Sequence, residues 1–97
     1  MKLVVLIKKS SIPEKKYTAI FHEGDKKKRT VHFGQRGADD YTKGATDEQR
    51  TAYRSRHTKD RISDPMTPGS LSWHILWGSN KSFEKNVSAF KKKFKLG

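Results

Sequence analysis

The chain has 97 residues, with 22 Lys and Arg against 10 Asp and Glu, so it carries a formal charge of +12 while only 32% of its residues are hydrophobic. That length gives volume for one core rather than two, and a single small basic domain over residues 1–97 is expected. The lack of cysteine excludes a disulfide framework, a thiolate nucleophile and a Cys-containing zinc site, and the charge excess means either solubility by self-repulsion or pairing with something acidic.

Leu3-Val4-Val5-Leu6-Ile7 is an apolar, β-branched run that is too short for the core of a signal peptide and is cut by Lys8-Lys9. It reads as a buried strand of a protein that is not secreted. After Pro13, Lys16 to His22 alternates Tyr17, Ala19 and Phe21 with Thr18, Ile20 and His22, the period of a second strand. Glu23-Gly24-Asp25-Lys26 signals a turn, and Arg29 to Phe33 alternates again with Val31 and Phe33 on one face, completing a three-stranded antiparallel meander.

Phe33-Gly34-Gln35-Arg36-Gly37 ends the third strand, its glycines permitting a backbone path closed to other residues. Thr46-Asp47-Glu48-Gln49 has the form of a capping box, and Gln49 to Lys59, without Gly or Pro, predicts an Arg-rich helix lying exposed beside the sheet. On it Arg50, Arg54, His57 and Arg61 recur at spacings of four and three that predict a common stripe. Asp64-Pro65-Met66-Thr67-Pro68-Gly69 is a loop, after which Ser70 is placed to cap a short helix carrying Trp73, Leu76 and Trp77 as core anchors. Phe83, Val87, Phe90 and Phe94 form the apolar stripe of a C-terminal amphipathic helix packed on the sheet, with lysines opposite. The predicted class is therefore α+β.

The candidate binding residues are cations in separated clusters: Lys26, Lys27, Lys28 and Arg29 on the third strand, Arg36 in the glycine turn, Arg50, Arg54, Arg56 and Arg61 on or beyond the first helix, and Lys91, Lys92 and Lys93 near the C-terminus. Nucleic acid suits such a layout, because each neutralised phosphate releases counterions and guanidinium forks grip phosphate oxygens. The alternative for a strand-edge lysine is a solvated face that prevents sheet-to-sheet aggregation. Tyr17, Tyr41 and Tyr53 are candidates for base stacking, while the remaining aromatics fall where a core is expected.

Other chemistry is thinly represented. His22 and His32 could face each other across the second and third strands, yet no third or fourth ligand converges on them, so no metal and no cofactor is expected. Asp39-Asp40 has the look of a magnesium-binding pair of a nuclease, against which stands the ordinary turn-forming aspartate that satisfies loose amides. No nucleophile triad, phosphate loop or dinucleotide fingerprint occurs, and an enzyme is the minority reading.

Taken in order, Val31-His32-Phe33-Gly34, Gly37, Asp40-Tyr41-Thr42, Glu48, Arg50, Tyr53, Arg56-His57, Asp64-Pro65, Thr67, Gly69, Ser72-Trp73, Leu76-Trp77 and Phe94 make a pattern that resembles small basic proteins of unassigned function encoded by large double-stranded DNA viruses. The resemblance covers residues 16–95 and departs at Leu71, where an aromatic is expected. It implies a viral gene product of the virion or of the infected-cell cytoplasm or nucleus, and it carries over no catalytic or ligand residues. Two functions follow as expectations. The first is non-catalytic, largely sequence-independent binding of nucleic acid, DNA ahead of RNA. The second is a virion structural role, the positive surface holding acidic capsid or core proteins. A membrane partner is not expected, since no segment is apolar enough to anchor in lipid.

Overall fold

Period-two alternation in the first 35 residues forms one sheet, and the helical periods that follow cover one of its faces. The computed structural model describes residues 3–57 and 62–97. Strands β1 (Leu3–Lys9), β2 (Lys15–Glu23) and β3 (Lys26–Gln35) pair antiparallel in the order β1-β2-β3. Helix α1 spans Asp47–Arg56, a single α turn α2 spans Pro68–Leu71 and runs into a wider π turn over Ser72–Leu76, and α3 spans Phe83–Lys93. The architecture is α+β, a three-stranded antiparallel sheet with a C-terminal helix and further helices.

Register explains which residues form the core. Val5 stands opposite Phe21, Ile7 opposite Ala19, Ala19 opposite Val31, and Tyr17 opposite Phe33. These share the covered face, and Val5, Ala19, Phe21, Val31 and Phe33 are buried with Leu71, Ile75, Leu76, Phe90 and Leu96 in one cluster. The aromatic stripe of α3 packs there: Phe90 is buried and Phe83, Val87 and Phe94 are partly buried against the same cluster.

β1 corrects the expectation of a buried strand. Val4 and Leu6 are 42% and 54% exposed, because the helices cover one face only and alternate side chains of any strand point the other way. An unbroken apolar run does not reveal whether its second face is covered.

The turns follow local chemistry. Thr46 and Gln49 close the capping box reciprocally, Gln49 N donating to Thr46 Oγ1 at 3.1 Å and Thr46 N to Gln49 Oε1 at 2.8 Å. The cap of the tryptophan segment is Thr67 rather than Ser70: its hydroxyl accepts from Ser70 N at 3.2 Å. Pro68 at the first helical position forces this, since proline is pre-set for that site and pushes the residue before it into extended backbone. Ser70 is instead buried and donates to the Ile62 carbonyl at 3.2 Å. Gly34, at φ +79, lies where a Cβ would come within 2.9 Å of Leu76 Cδ1, so the sheet and the π turn approach each other through a glycine.

The C-terminus returns to the sheet. Lys95 takes a left-handed conformation at φ 54 and Leu96 N donates to the Lys91 carbonyl at 2.7 Å, the long bond of a Schellman ending. Gly97 then pairs with the outer edge of β1, donating to Leu3 O at 2.9 Å and accepting from Val5 N at 3.3 Å. Among the described residues, no helix is long and apolar enough to cross a membrane.

Candidate nucleic-acid interface

The four consecutive cations on β3 do not form one patch. Lys26 pairs with Glu23 and Arg29 with Phe21, while Lys27 pairs with His22 on the opposite face, and a bulge between Phe21 and His22 leaves Lys28 outside the pairing. All four are exposed, on the edge strand, and Lys28 Nζ lies 3.6 Å from Glu23 Oε1. Strand alternation thus spreads them around the hairpin end of the sheet.

The arginines behave differently. Arg36 lies beyond the far end of β3, about 30 Å along the strand from Lys26 at ordinary strand rise, and its Nη2 donates to the carbonyls of Ser10 at 3.2 Å and Lys15 at 3.1 Å. It ties the end of β3 to the connection between β1 and β2. Arg50 Nε donates to the carbonyl of Gly78 at 2.8 Å and of Trp77 at 3.2 Å, and Arg54 Nη1 donates to Trp77 O at 2.8 Å. These carbonyls end the π turn, where backbone acceptors lack partners in the helix and cations are favoured. Arg50 and Arg54 therefore dock α1 onto the tryptophan segment, as their four-residue spacing permits.

Aromatic rings reinforce that contact. Tyr53 stacks on Trp77 with centroids 4.6 Å apart and planes 8° from parallel, and on His57 at 4.1 Å. The Arg54 guanidinium lies 4.1 Å from the centre of the Trp73 ring. Burial of Arg54, with Arg50 beside it, lowers its pKa from the usual guanidinium value, without approaching neutrality at physiological pH. Of the three tyrosines considered for base stacking, Tyr17 stacks on Phe83 at 4.6 Å and Tyr53 on Trp77. Tyr41 is half-buried, with Arg50 and Lys81 each 5.5 Å from its ring centre and its hydroxyl donating to Asp47 at 2.6 Å.

Asp40, one half of the carboxylate pair, has a structural part. Its side chain is 1% exposed and pairs with Lys16 Nζ at 2.6 Å, itself 12% exposed. It also caps the short 3₁₀ turn at Tyr41–Lys43 by accepting from Thr42 N at 2.9 Å, and Lys16 Nζ donates to the Ala38 carbonyl as well. This is the turn-forming role, closed by an ion pair. Sequence reasoning missed Lys16, because nothing local links it to a residue 24 positions away.

His22 and His32 do not face each other, since His22 is opposite Lys27 and His32 opposite Thr18. His32 Nδ1 instead lies 2.8 Å from Thr18 Oγ1. Among the described residues, no group of three His, Asp or Glu could hold a metal ion.

The remaining candidates fall in two places. Arg56 lines a groove with Lys16, Gly34, Gln35, Tyr53 and Trp77. Lys93 lines a cleft with Arg54, Lys91 faces the β1 side of α3, and Lys92 is exposed. Arg61 lies outside the described residues. The fold thus brings Arg50, Arg54 and Lys93 onto the helical layer and sets Lys26–Arg29 and Arg36 at opposite ends of β3.

Residues 5–57 match a family of unknown function (DUF5754), and the chain belongs to that family. The matched part runs from β1 through α1 and so contains the Lys16–Asp40 pair and the docking arginines. A relative is Uncharacterized protein L851 of Acanthamoeba polyphaga mimivirus, 37% identical over 70 residues, which are 65% of this chain and 70% of the relative. The kinship with proteins of large DNA viruses implied by the sequence pattern is therefore shown. No solved structure matches the chain.

Proposed function

We propose that this protein binds nucleic acid, DNA ahead of RNA, by phosphate contacts largely independent of base sequence and without catalysing a reaction. The observation that carries this reading is unbalanced charge: the chain holds +12, and the ion pairs among the described residues are Lys16–Asp40 and Lys28–Glu23. Cations that are neither paired nor buried attract a polyanion and steer its approach. Lys26, Lys27, Arg29, Arg56, Lys91, Lys92 and Lys93 supply the displayed charge, and Lys28 adds to it from an exposed pair with Glu23 that water screens. Arg36, Arg50 and Arg54 hold the backbone, and each guanidinium carries five N–H donors, more than those bonds consume. In this reading the Arg-bearing α1 and the tryptophan segment form one rigid mount, and the protein accompanies viral DNA in the virion or infected cell.

The test is binding of a labelled 30-base-pair duplex as a function of salt. With about six phosphates engaged, log affinity falls against log salt with a slope of about −5. A flat response overturns the proposal. Equal affinity for polyglutamate of matched charge would instead assign the surface to acidic capsid or core proteins.

A further inference from the structure

A cleft of about 490 Å³ lies away from the β3 cations. It is bounded by α1, the end of the π turn and α3, and none of the described residues lining it carries a carboxylate. Three cations enter it: Arg54 from α1, and Lys85 and Lys93 from α3. Lys85, Ala89 and Lys93 stand at i, i+4 and i+8, one above another on a single helix face, with the lysine backbones about 12 Å apart. The small Ala89 between them leaves the middle of that face open. Arg54 is held in place beforehand, by its bond to Trp77 O at 2.8 Å and by the Trp73 ring 4.1 Å away, so little ordering is needed when an anion arrives.

The rest of the lining is polar and fixed. Asn86 is buried, donating to the carbonyls of Ile75 at 2.8 Å and Asn80 at 2.6 Å and accepting from Asn80 N at 3.0 Å, which holds the 78–80 loop against α3. The cleft exceeds a bare inorganic anion and falls in the size range of small-molecule sites. Cations from two helices favour dense negative charge, and a guanidinium fork with two ammoniums suits the three oxygens of a phosphomonoester better than a planar carboxylate.

We propose that this cleft is a binding site for a phosphomonoester of nucleotide size, with Arg54, Lys85 and Lys93 gripping the phosphate. Such a group occurs on a free mononucleotide and at the 5′ end of a polynucleotide, and the site stands whether or not the β3 cations bind duplex.

The experiment is titration of the whole protein with AMP, adenosine, inorganic phosphate and a short oligothymidylate with and without its 5′-phosphate, followed by calorimetry and by the imidazole NMR signals of His74. His74 lines the cleft and its Nε2–H donates to the Ile62 carbonyl, 2.8 Å away. Its pKa is lowered first by burial, with Lys93 and Arg54 adding repulsion against the hydrogen bond to Ile62. An anion that neutralises those cations raises it. The expected result is saturable binding of AMP, an upward shift of the His74 titration, and adenosine weaker by about tenfold or more. The K85A/K93A double variant, which leaves the Arg54 docking contacts in place, should lose about tenfold or more in AMP affinity while its urea midpoint shows it folded. Tighter binding of AMP assigns a free nucleotide, and tighter binding of the 5′-phosphorylated oligomer assigns a polynucleotide end. Equal affinity for AMP and adenosine, or a double variant that binds AMP like the parent chain, overturns the site.

Discussion

The hairpin end of the sheet and the corner around Asp40 are both rich in cations, and they use them in opposite ways. At the hairpin, Lys26, Lys27, Lys28 and Arg29 are exposed on an edge strand and fan to both faces. At the corner, Lys16 is consumed by a buried carboxylate, while Arg36, Arg50 and Arg54 donate to backbone carbonyls of distant segments. The difference lies in what water can still do for each charge. A lysine at the hairpin stays hydrated and is available to a partner, whereas a guanidinium at the corner has replaced water as the donor to a carbonyl. The chain's net charge therefore overstates the charge it displays to solvent, since part of that charge is architecture.

Removing the corner's anion should break this contrast most severely. Asp40→Ala leaves Lys16 buried without its partner and the 3₁₀ turn without its cap, a loss of about 3–5 kcal/mol, measurable as a lower urea midpoint. A change of that size removes much of the stability of a small domain. Gly78→Ala tests the neighbouring contact, because a Cβ there would fall 2.3 Å from the His74 carbonyl oxygen and 2.8 Å from Asn86 Cγ. Backbone against backbone cannot yield cheaply, and about 1–3 kcal/mol of destabilisation is expected in the same melt.

Arg54→Ala and Lys27→Ala compare the two regions directly. The first removes a charged donor to Trp77 O and a cation over Trp73, costing about 1–2 kcal/mol. The second should leave stability within about 0.5 kcal/mol while reducing the salt slope of duplex binding by about 0.9 if Lys27 meets a phosphate. An equal stability loss for both would erase the distinction between built-in and displayed charge.

The smallest effect is pH dependence through His74. Its folded pKa lies below 6.5, chiefly because burial disfavours the charged ring. Below about pH 6.5 the unfolded chain therefore binds more protons than the folded one. Stability should fall as pH drops through about 6.5 towards the folded value and be flat at pH well above 6.5. His74→Gln, which keeps an N–H for Ile62 O, should weaken that acid dependence in urea melts at pH 7.5 and 5.

Much of the fold was legible because it is local. A short apolar run located the first strand and alternation the other two, Thr46 and Gln49 announced the start of α1, and steps of four, three and four marked the face of α3 that meets the sheet. Errors arose where a local rule had two solutions: Val4 and Leu6 are as apolar as Val5, and Ser70 is as good a capping residue as Thr67 until Pro68 is weighed. The candidate site was less legible, since the clusters were counted along the chain while alternation scattered one of them over two faces.

By itself, the sequence determined the order of the strands and helices, the capping box of α1, the turns, the excess of positive charge and the kinship with a viral family. Only the tertiary structure decided which cations are spent inside the fold, that Asp40 is buried against Lys16, and that Arg54, Lys85 and Lys93 share a cleft. The reason is range. Helix and strand preferences act over a few residues, but a charge takes its role from whatever folding sets within about 3 Å of it, and for Arg54 that neighbour, the Trp77 carbonyl, lies 23 positions away.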